Sequence, residues 1–149
     1  MRHSQDKPNG VYILVNKDTQ RLFVMNNKRV LEQMLCSTGT GKARYGSDEK
    51  QLFSGKTEEG TYTVSGILAS SKFPSPFNPH RHPYGPWMFD FEENQFKAFG
   101  KALHGTDEPR KLGRRASAGC IRVSNVNVKI LKRKYVRPGT KVYVIGSPE

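Results

Sequence analysis

Between Ser70 and Pro86 the chain places five prolines, Pro74, Pro76, Pro79, Pro83 and Pro86. Proline lacks an amide hydrogen and fixes φ, so neither a regular helix nor a central strand passes through such a segment. The middle of the chain is therefore irregular, and the flanking parts must build the fold from short pieces. Those pieces read as strands. Val11–Val15, Arg21–Met25 and Val30–Cys36 are short runs rich in apolar residues, separated by Asn16–Gln20 and Asn26–Lys28 as turns. Thr61–Ile67 is alternating and β-branched, Trp87–Phe91 alternates, and Lys141–Ile145 closes the series. Residues 42–60 are polar and glycine-containing and read as a loop. One helix is expected from Asn125 to about Tyr135, with Ser124 as N-cap and Val126, Ile130 and Leu131 along one face. Pro138-Gly139 ends it. The expected class is mostly β.

Phe73, Phe77, Tyr84 and Trp87 punctuate the proline segment, which a mere linker would not need. They are expected to form an ordered loop or lid, with Tyr84 and Trp87 near a site and Phe73 and Phe77 as packing. The 149 residues suit one domain. Eight Phe, six Tyr and one Trp supply enough large apolar groups to exclude full disorder. No apolar run approaches the ~20 residues of a membrane-spanning helix. The opening Met1–Lys7 is polar and has no apolar region behind it, so it does not read as a signal peptide. Either export by that route is absent, or the chain is a trimmed mature domain.

The net charge of +12 is uneven: residues 1–100 carry 13 basic and 10 acidic side chains, residues 101–149 carry 12 and 3. Such an excess favours a polyanionic partner: nucleic acid, anionic lipid or an acidic wall polymer. Two cysteines are too few for a disulfide scaffold. Cys36 ends an apolar stretch and reads as a buried core thiol, whereas Cys120 lies in a glycine-containing turn.

That turn carries the chemistry. Leu103-His104-Gly105-Thr106 precedes Ala116-Ser117-Ala118-Gly119-Cys120-Ile121-Arg122 by a short span. A thiolate is the nucleophilic form of cysteine, and a nearby imidazole or guanidinium favours it. Backbone amides in a glycine turn can stabilise an oxyanion. Arg122, two residues beyond Cys120, can grip a carboxylate in bidentate fashion.

His104-Gly105-Thr106 with Ser117-x-Gly119-Cys120-Ile121-Arg122 resembles the YkuD-type L,D-transpeptidase signature, spacing included. Val11–Val24, Ser37-Thr38-Gly39, Glu59-Gly60-Thr61-Tyr62 (Glu59 where proline is usual), His82–Met88, Asn125 with the helix behind it, and Arg137–Tyr143 resemble further family elements, so the likeness spans about residues 10–146. It implies a YkuD-like β-sandwich with one or two short helices. A single catalytic domain over residues 1–149 is expected, with 1–9 as an N-terminal extension. It further implies action on peptidoglycan stem peptides in the periplasm or cell envelope, with no cofactor and no metal.

By position, the resemblance makes Cys120 the nucleophile, His104 the base, and the Gly105 carbonyl the group that fixes the imidazole tautomer. The amides of Gly119 and Cys120 would form the oxyanion hole. Arg122, Ser117, Tyr84, Trp87 and His82 would contact substrate. The cysteine would attack between a diamino acid and terminal D-alanine of a tetrapeptide stem. The thioacyl-enzyme would pass to an amine, or to water as an L,D-carboxypeptidase. One departure stands out: the family usually has histidine where this chain has Ala118.

Two rival readings come from the residues alone. His80, His82 and His104 with Cys120 form a possible zinc ligand set. Arg110-Lys111, Arg114-Arg115 and Lys129 with Lys132-Arg133-Lys134 form basic clusters that fit a catalytically weak module for an anionic polymer. Aromatics do not interleave with these cations, so no specific nucleic acid is expected. Arg110–Arg115, between His104 and Cys120, would rim the site and attract carboxylates.

Overall fold

Period-two burial builds the first sheet strands. In a computed structural model, which describes residues 10–92 and 101–149, β1 (Val11–Asn16), β2 (Arg21–Asn26) and β3 (Arg29–Leu35) form an antiparallel meander. Ile13, Val15, Leu22 and Val24 share its fully buried face. Asn27 turns the second hairpin at a φ of 55°, a left-handed conformation that asparagine tolerates. The expected extension 1–9 lies outside the described residues.

The stretch 42–60 is not wholly loop. β4 (Arg44–Tyr45) and β5 (Leu52–Phe53) pair as a small separate ribbon. Two-residue strands are too short to show a periodic pattern, which is why the sequence does not reveal them. β6 (Gly60–Ala69) is the long strand that shapes the molecule. Its first residues pair with β10 (Lys141–Ile145) and its later ones with β7 (Trp87–Phe91), with a register shift between Val64 and Gly66. Such an irregularity bends a strand and increases its twist. β8 (Ala102–His104) and β9 (Ile121–Arg122) complete the order β3-β2-β1-β10-β6-β7-β8-β9.

The two layers expected of a sandwich are thus one curled sheet in which β6 serves both. Its ends meet. Beyond β3, Ser37 exchanges two backbone hydrogen bonds of 2.9 Å with Arg122, and Gly39 bridges to Ser117. The curl encloses Phe89, Leu103, Ile121, Val123 and Cys36, all at most 1% exposed. Each fully buried large side chain of this kind contributes about 1.5–3 kcal/mol.

The helix α1 (Asn125–Ile130) starts as expected, with Ser124 Oγ accepting from the Asn127 amide at 3.0 Å. It is shorter than expected, passing into a wider π-helical turn over Leu131–Tyr135. The buried face is Val128 and Leu131, while Val126 is 69% exposed. At about 100° per residue, Val126 lies on the side opposite Val128. Among the described residues no helix is long and apolar enough to cross a membrane.

Candidate active site

Parallel pairing of β8 with β9 sets Leu103 beside Ile121 and His104 beside Arg122. The strands therefore deliver His104 and the Cys120 turn to the same cleft, about 570 Å³ in volume. Cys120, His104, Arg122, Tyr84, Ser117 and Ala118 all line it.

His104 is 2% exposed, and its Nδ1 faces the carbonyl of Gly105. A carbonyl only accepts, so Nδ1 carries the proton and Nε2 keeps its lone pair. The Tyr84 ring stands edge-on to the imidazole, with centroids 4.8 Å apart. Burial holds the imidazole down at about 4, reinforced by Arg122 and opposed by the Gly105 carbonyl and Asp107. At neutral pH it is an uncharged base. Burial also pushes the Cys120 thiol up, against a hydrogen bond from the backbone of Ala102 and the charges of Lys101 and Arg122. Both shifts favour the neutral forms, an uncharged imidazole beside a protonated thiol. Tyr84 is likewise a neutral phenol, pushed up to about 12 chiefly by burial.

The turn before Cys120 is braced from several sides. Gly119 has a φ of +129°, and a Cβ there would lie 1.7 Å from Lys101 Nζ. Ser117 Oγ accepts from the Gly119 amide at 3.1 Å and donates to the Cys120 carbonyl. Ser117, expected to contact substrate, lines the cleft with its hydroxyl donated to the turn, and the Gly119 amide, expected as an oxyanion donor, bonds to Ser117 Oγ. Thr57 Oγ1 donates to the Gly119 carbonyl at 2.7 Å and accepts from the Gly39 amide at 2.9 Å.

Behind Thr57 lies a fully buried lysine. Lys17 Nζ donates to the Thr57 carbonyl at 2.6 Å and to Glu59 and Glu149 at 2.9 Å each. Glu149 also accepts from the Thr57 amide at 2.7 Å. On the histidine side, Asn125 Oδ1 accepts from the Thr106 amide at 2.9 Å. It packs so closely on Gly105 and Gly85 that a Cβ on either would lie within 2.3 Å of it.

Arg81 binds both oxygens of Asp107, at 2.6 and 2.7 Å, and also Glu108. Lys111 holds Glu108 at 2.7 Å. Glu108 is thus shared, and Arg122 reaches it only at 3.5 Å. The buried Arg122 Nη1 has no hydrogen-bond partner among the described residues. A cationic donor without a full partner, on a cleft wall, is suited to an incoming carboxylate.

Other expected contacts are elsewhere. His82 is exposed and Trp87 packs against the core with Lys132 over its ring at 4.4 Å; neither lines the cleft. Phe77, expected as packing, does line it, edge-on to Phe53 at 5.0 Å with Arg44 4.0 Å above its ring. Of Arg110–Arg115, only Lys111 lines the cleft, and Arg115 turns to Asp18 at 3.3 Å. His80 is exposed, and among the described residues no three His, Cys, Asp or Glu side chains converge as a metal site. Cys36 is fully buried, its thiol pushed up to about 12 by burial, and it is not bridged to Cys120. Lys101, Arg81, Thr57, Asn125 and the Lys17–Glu149 pair were not singled out as site residues from sequence. Only Asn125 carried a signal, as the residue after the N-cap and as part of the family resemblance.

The chain is 46% identical to YcfS of Escherichia coli (strain K12) over 46 residues, covering 31% of this chain and 14% of that one. It is 30% identical to YqjB of Bacillus subtilis (strain 168) over 139 residues, covering 92% and 72% respectively. Both of those proteins carry L,D-transpeptidase names. An L,D-transpeptidase crystal structure from Xylanimonas cellulosilytica superposes with a TM-score of 0.71 at 21% identity, over 97% of this chain and 65% of that one. The chain thus spans only part of the proteins it resembles. The family model for the L,D-transpeptidase catalytic domain, YkuD, matches residues 10–144, and with the relationship to YqjB it establishes that this chain belongs to that enzyme family.

Proposed function

We propose that this chain carries out cysteine-dependent acyl transfer on peptidoglycan stem peptides at the cell envelope, acting as one catalytic domain. The observation that carries this reading is the uncharged His104, its Nδ1 committed to the Gly105 carbonyl, lining the same cleft as Cys120. Such an imidazole has one free nitrogen and can only take a proton there.

The Cys120 thiol passes its proton to His104 Nε2 as Sγ bonds to the carbonyl carbon between the diamino acid and D-alanine. The tetrahedral intermediate collapses by breaking the C–N bond, and the imidazolium returns the proton to the leaving amine. A thioester remains. An acceptor amine then attacks it, gives its proton to His104 and releases Sγ, which recovers the proton. Arg122 binds a substrate carboxylate, and the small Ala118 leaves room on the cleft wall where a histidine is usual.

Intact-mass spectrometry tests this, with the protein mixed separately with a carbapenem and with a tetrapeptide muropeptide. The expected results are a carbapenem-sized mass gain that Cys120→Ala abolishes, release of D-alanine, and muropeptide products joined through an amine. Reduced, folded protein giving neither adduct nor D-alanine overturns the reading; D-alanine release with only tripeptide product replaces the amine by water.

A further inference from the structure

Lys101 lies three residues before His104, and its side chain is buried against Gly119 in the cysteine turn. The residue is 8% exposed. Its Nζ donates to the Lys56 carbonyl at 2.6 Å and, at a long 3.4 Å, to Ser54 Oγ. Both acceptors are neutral. Among the described residues no carboxylate pairs with it, in contrast to Lys17, which has two. A buried ammonium is expensive unless an anion accompanies it.

A second observation says where that anion belongs. The ammonium lies so close to Gly119 that even a methyl group there would overlap it, its Cβ falling 1.7 Å from Nζ and 2.9 Å from Cε. Glycine at this position therefore admits the lysine to the residue adjoining Cys120. Lys101 and Cys120 also both line the cleft. An ionised Cys120 would supply beside Lys101 a negative charge that no directly paired carboxylate among the described residues supplies.

We propose that Lys101 is an electrostatic positioning residue of this site, a buried ammonium held against the Gly119–Cys120 turn to stabilise negative charge developing on Sγ. The proposal rests on the reading of Cys120 as nucleophile. It also divides the work between the two cations near the thiol. Arg122 faces the cleft, so a bound carboxylate largely neutralises its charge. Lys101 lines the cleft too, but it is tethered to the uncharged Lys56 carbonyl and Ser54 hydroxyl; burial pushes its ammonium down, and negative charge on Cys120 pushes it back up. His104 starts neutral and contributes no positive charge until it has taken the proton, so a fixed cation assists the transfer itself.

Among the described residues, the charged groups facing this pair are few. Cys120 feels Lys101, Arg122 and Asp90, and Lys101 feels Cys120 with Glu58 and Glu149. Removing the Lys101 charge leaves Arg122 and Asp90 in place, so the effect is assignable.

The test is the pH dependence of iodoacetamide alkylation at Cys120, followed on the Cys120 peptide by mass spectrometry so that Cys36 does not contribute. Lys101→Met and Lys101→Gln remove the charge, the second keeping a donor for the Lys56 carbonyl, and Lys101→Arg keeps it. In both neutral variants the alkylation midpoint should rise by about one pH unit, slowing the reaction near neutrality about tenfold. Lys101→Arg should stay near wild type. A midpoint unmoved in the neutral variants, or moved as far in Lys101→Arg, overturns the proposal. Thermal melting of each variant identifies the folded protein to be read, and Gln decides where Met does not fold. Alkylation uses no wall peptide, so this outcome is independent of whether acyl transfer is observed.

Discussion

His104 ties the site to the stability of the whole molecule, and the size of that link follows from its burial. Unfolded, its imidazole titrates near the ordinary 6.5; folded, burial holds it at about 4, with Arg122 in support and the Gly105 carbonyl and Asp107 opposing. Between these values the unfolded chain binds a proton that the folded one refuses. Acidification therefore draws the chain toward unfolding, and the stabilisation present above 6.5 is lost as pH falls toward 4. At about 1.36 kcal/mol per pH unit, the gap amounts to about 3 kcal/mol. That is a large part of the ~5–15 kcal/mol that a domain commonly has.

The assay is urea unfolding followed by circular dichroism at intervals from neutral pH down to about 4, on wild type and His104→Asn, which keeps a donor for the Gly105 carbonyl. The carboxylates of Asp18, Glu59, Asp107 and Glu108, held low by their partners, are present in both proteins, and their acid titration largely cancels in the difference. The wild-type curve should fall toward the variant's by about 3 kcal/mol across this window. Parallel curves would refute the reasoning, because they would mean that His104 is charged as easily folded as unfolded.

Three other perturbations follow from the packing around the turn. Gly119→Ala meets both a φ of +129° and the Lys101 ammonium; backbone strain alone should cost about 1–3 kcal/mol in chemical denaturation. Lys17→Met leaves Glu149 buried and without its cation; the loss should reach about 3–5 kcal/mol, and adding Glu149→Gln should recover part of it in a double-mutant cycle. Asn125→Ala removes the acceptor of the Thr106 amide beside His104; we expect a melting shift equivalent to about 1–3 kcal/mol and slower carbapenem acylation of Cys120 by intact mass.

The strands were legible because their signal is local. Val11–Val15, Arg21–Met25, Thr61–Ile67 and Lys141–Ile145 each carry an apolar or alternating run bounded by turn residues, and each is a strand. The Ser124 cap was legible for the same reason, since it depends on a hydroxyl three residues from the amide it accepts. The inward helix face was misread because Val126 and Val128 are equally apolar, and only the neighbouring sheet selects between them. Aromatic spacing in the proline segment follows no period, so nothing local separated cleft-lining Phe77 from core-packed Trp87.

By itself the sequence determined the mostly β class, the burial of Cys36 and the spacing of His104 from the Cys120 turn. Tertiary structure decided how that turn is held. Ser37 closing on Arg122, Thr57 gripping the Gly119 carbonyl, and Glu149 meeting Lys17 join residues 85, 62 and 132 positions apart in the chain. Contacts at such separations leave no periodic mark in a sequence. They exist only because β6 bends across both halves of the sheet and brings its far ends together. The Lys101 ammonium, without a paired carboxylate among the described residues, belongs to the same class: its meaning comes from Gly119, and the two adjoin only after the sheet has curled.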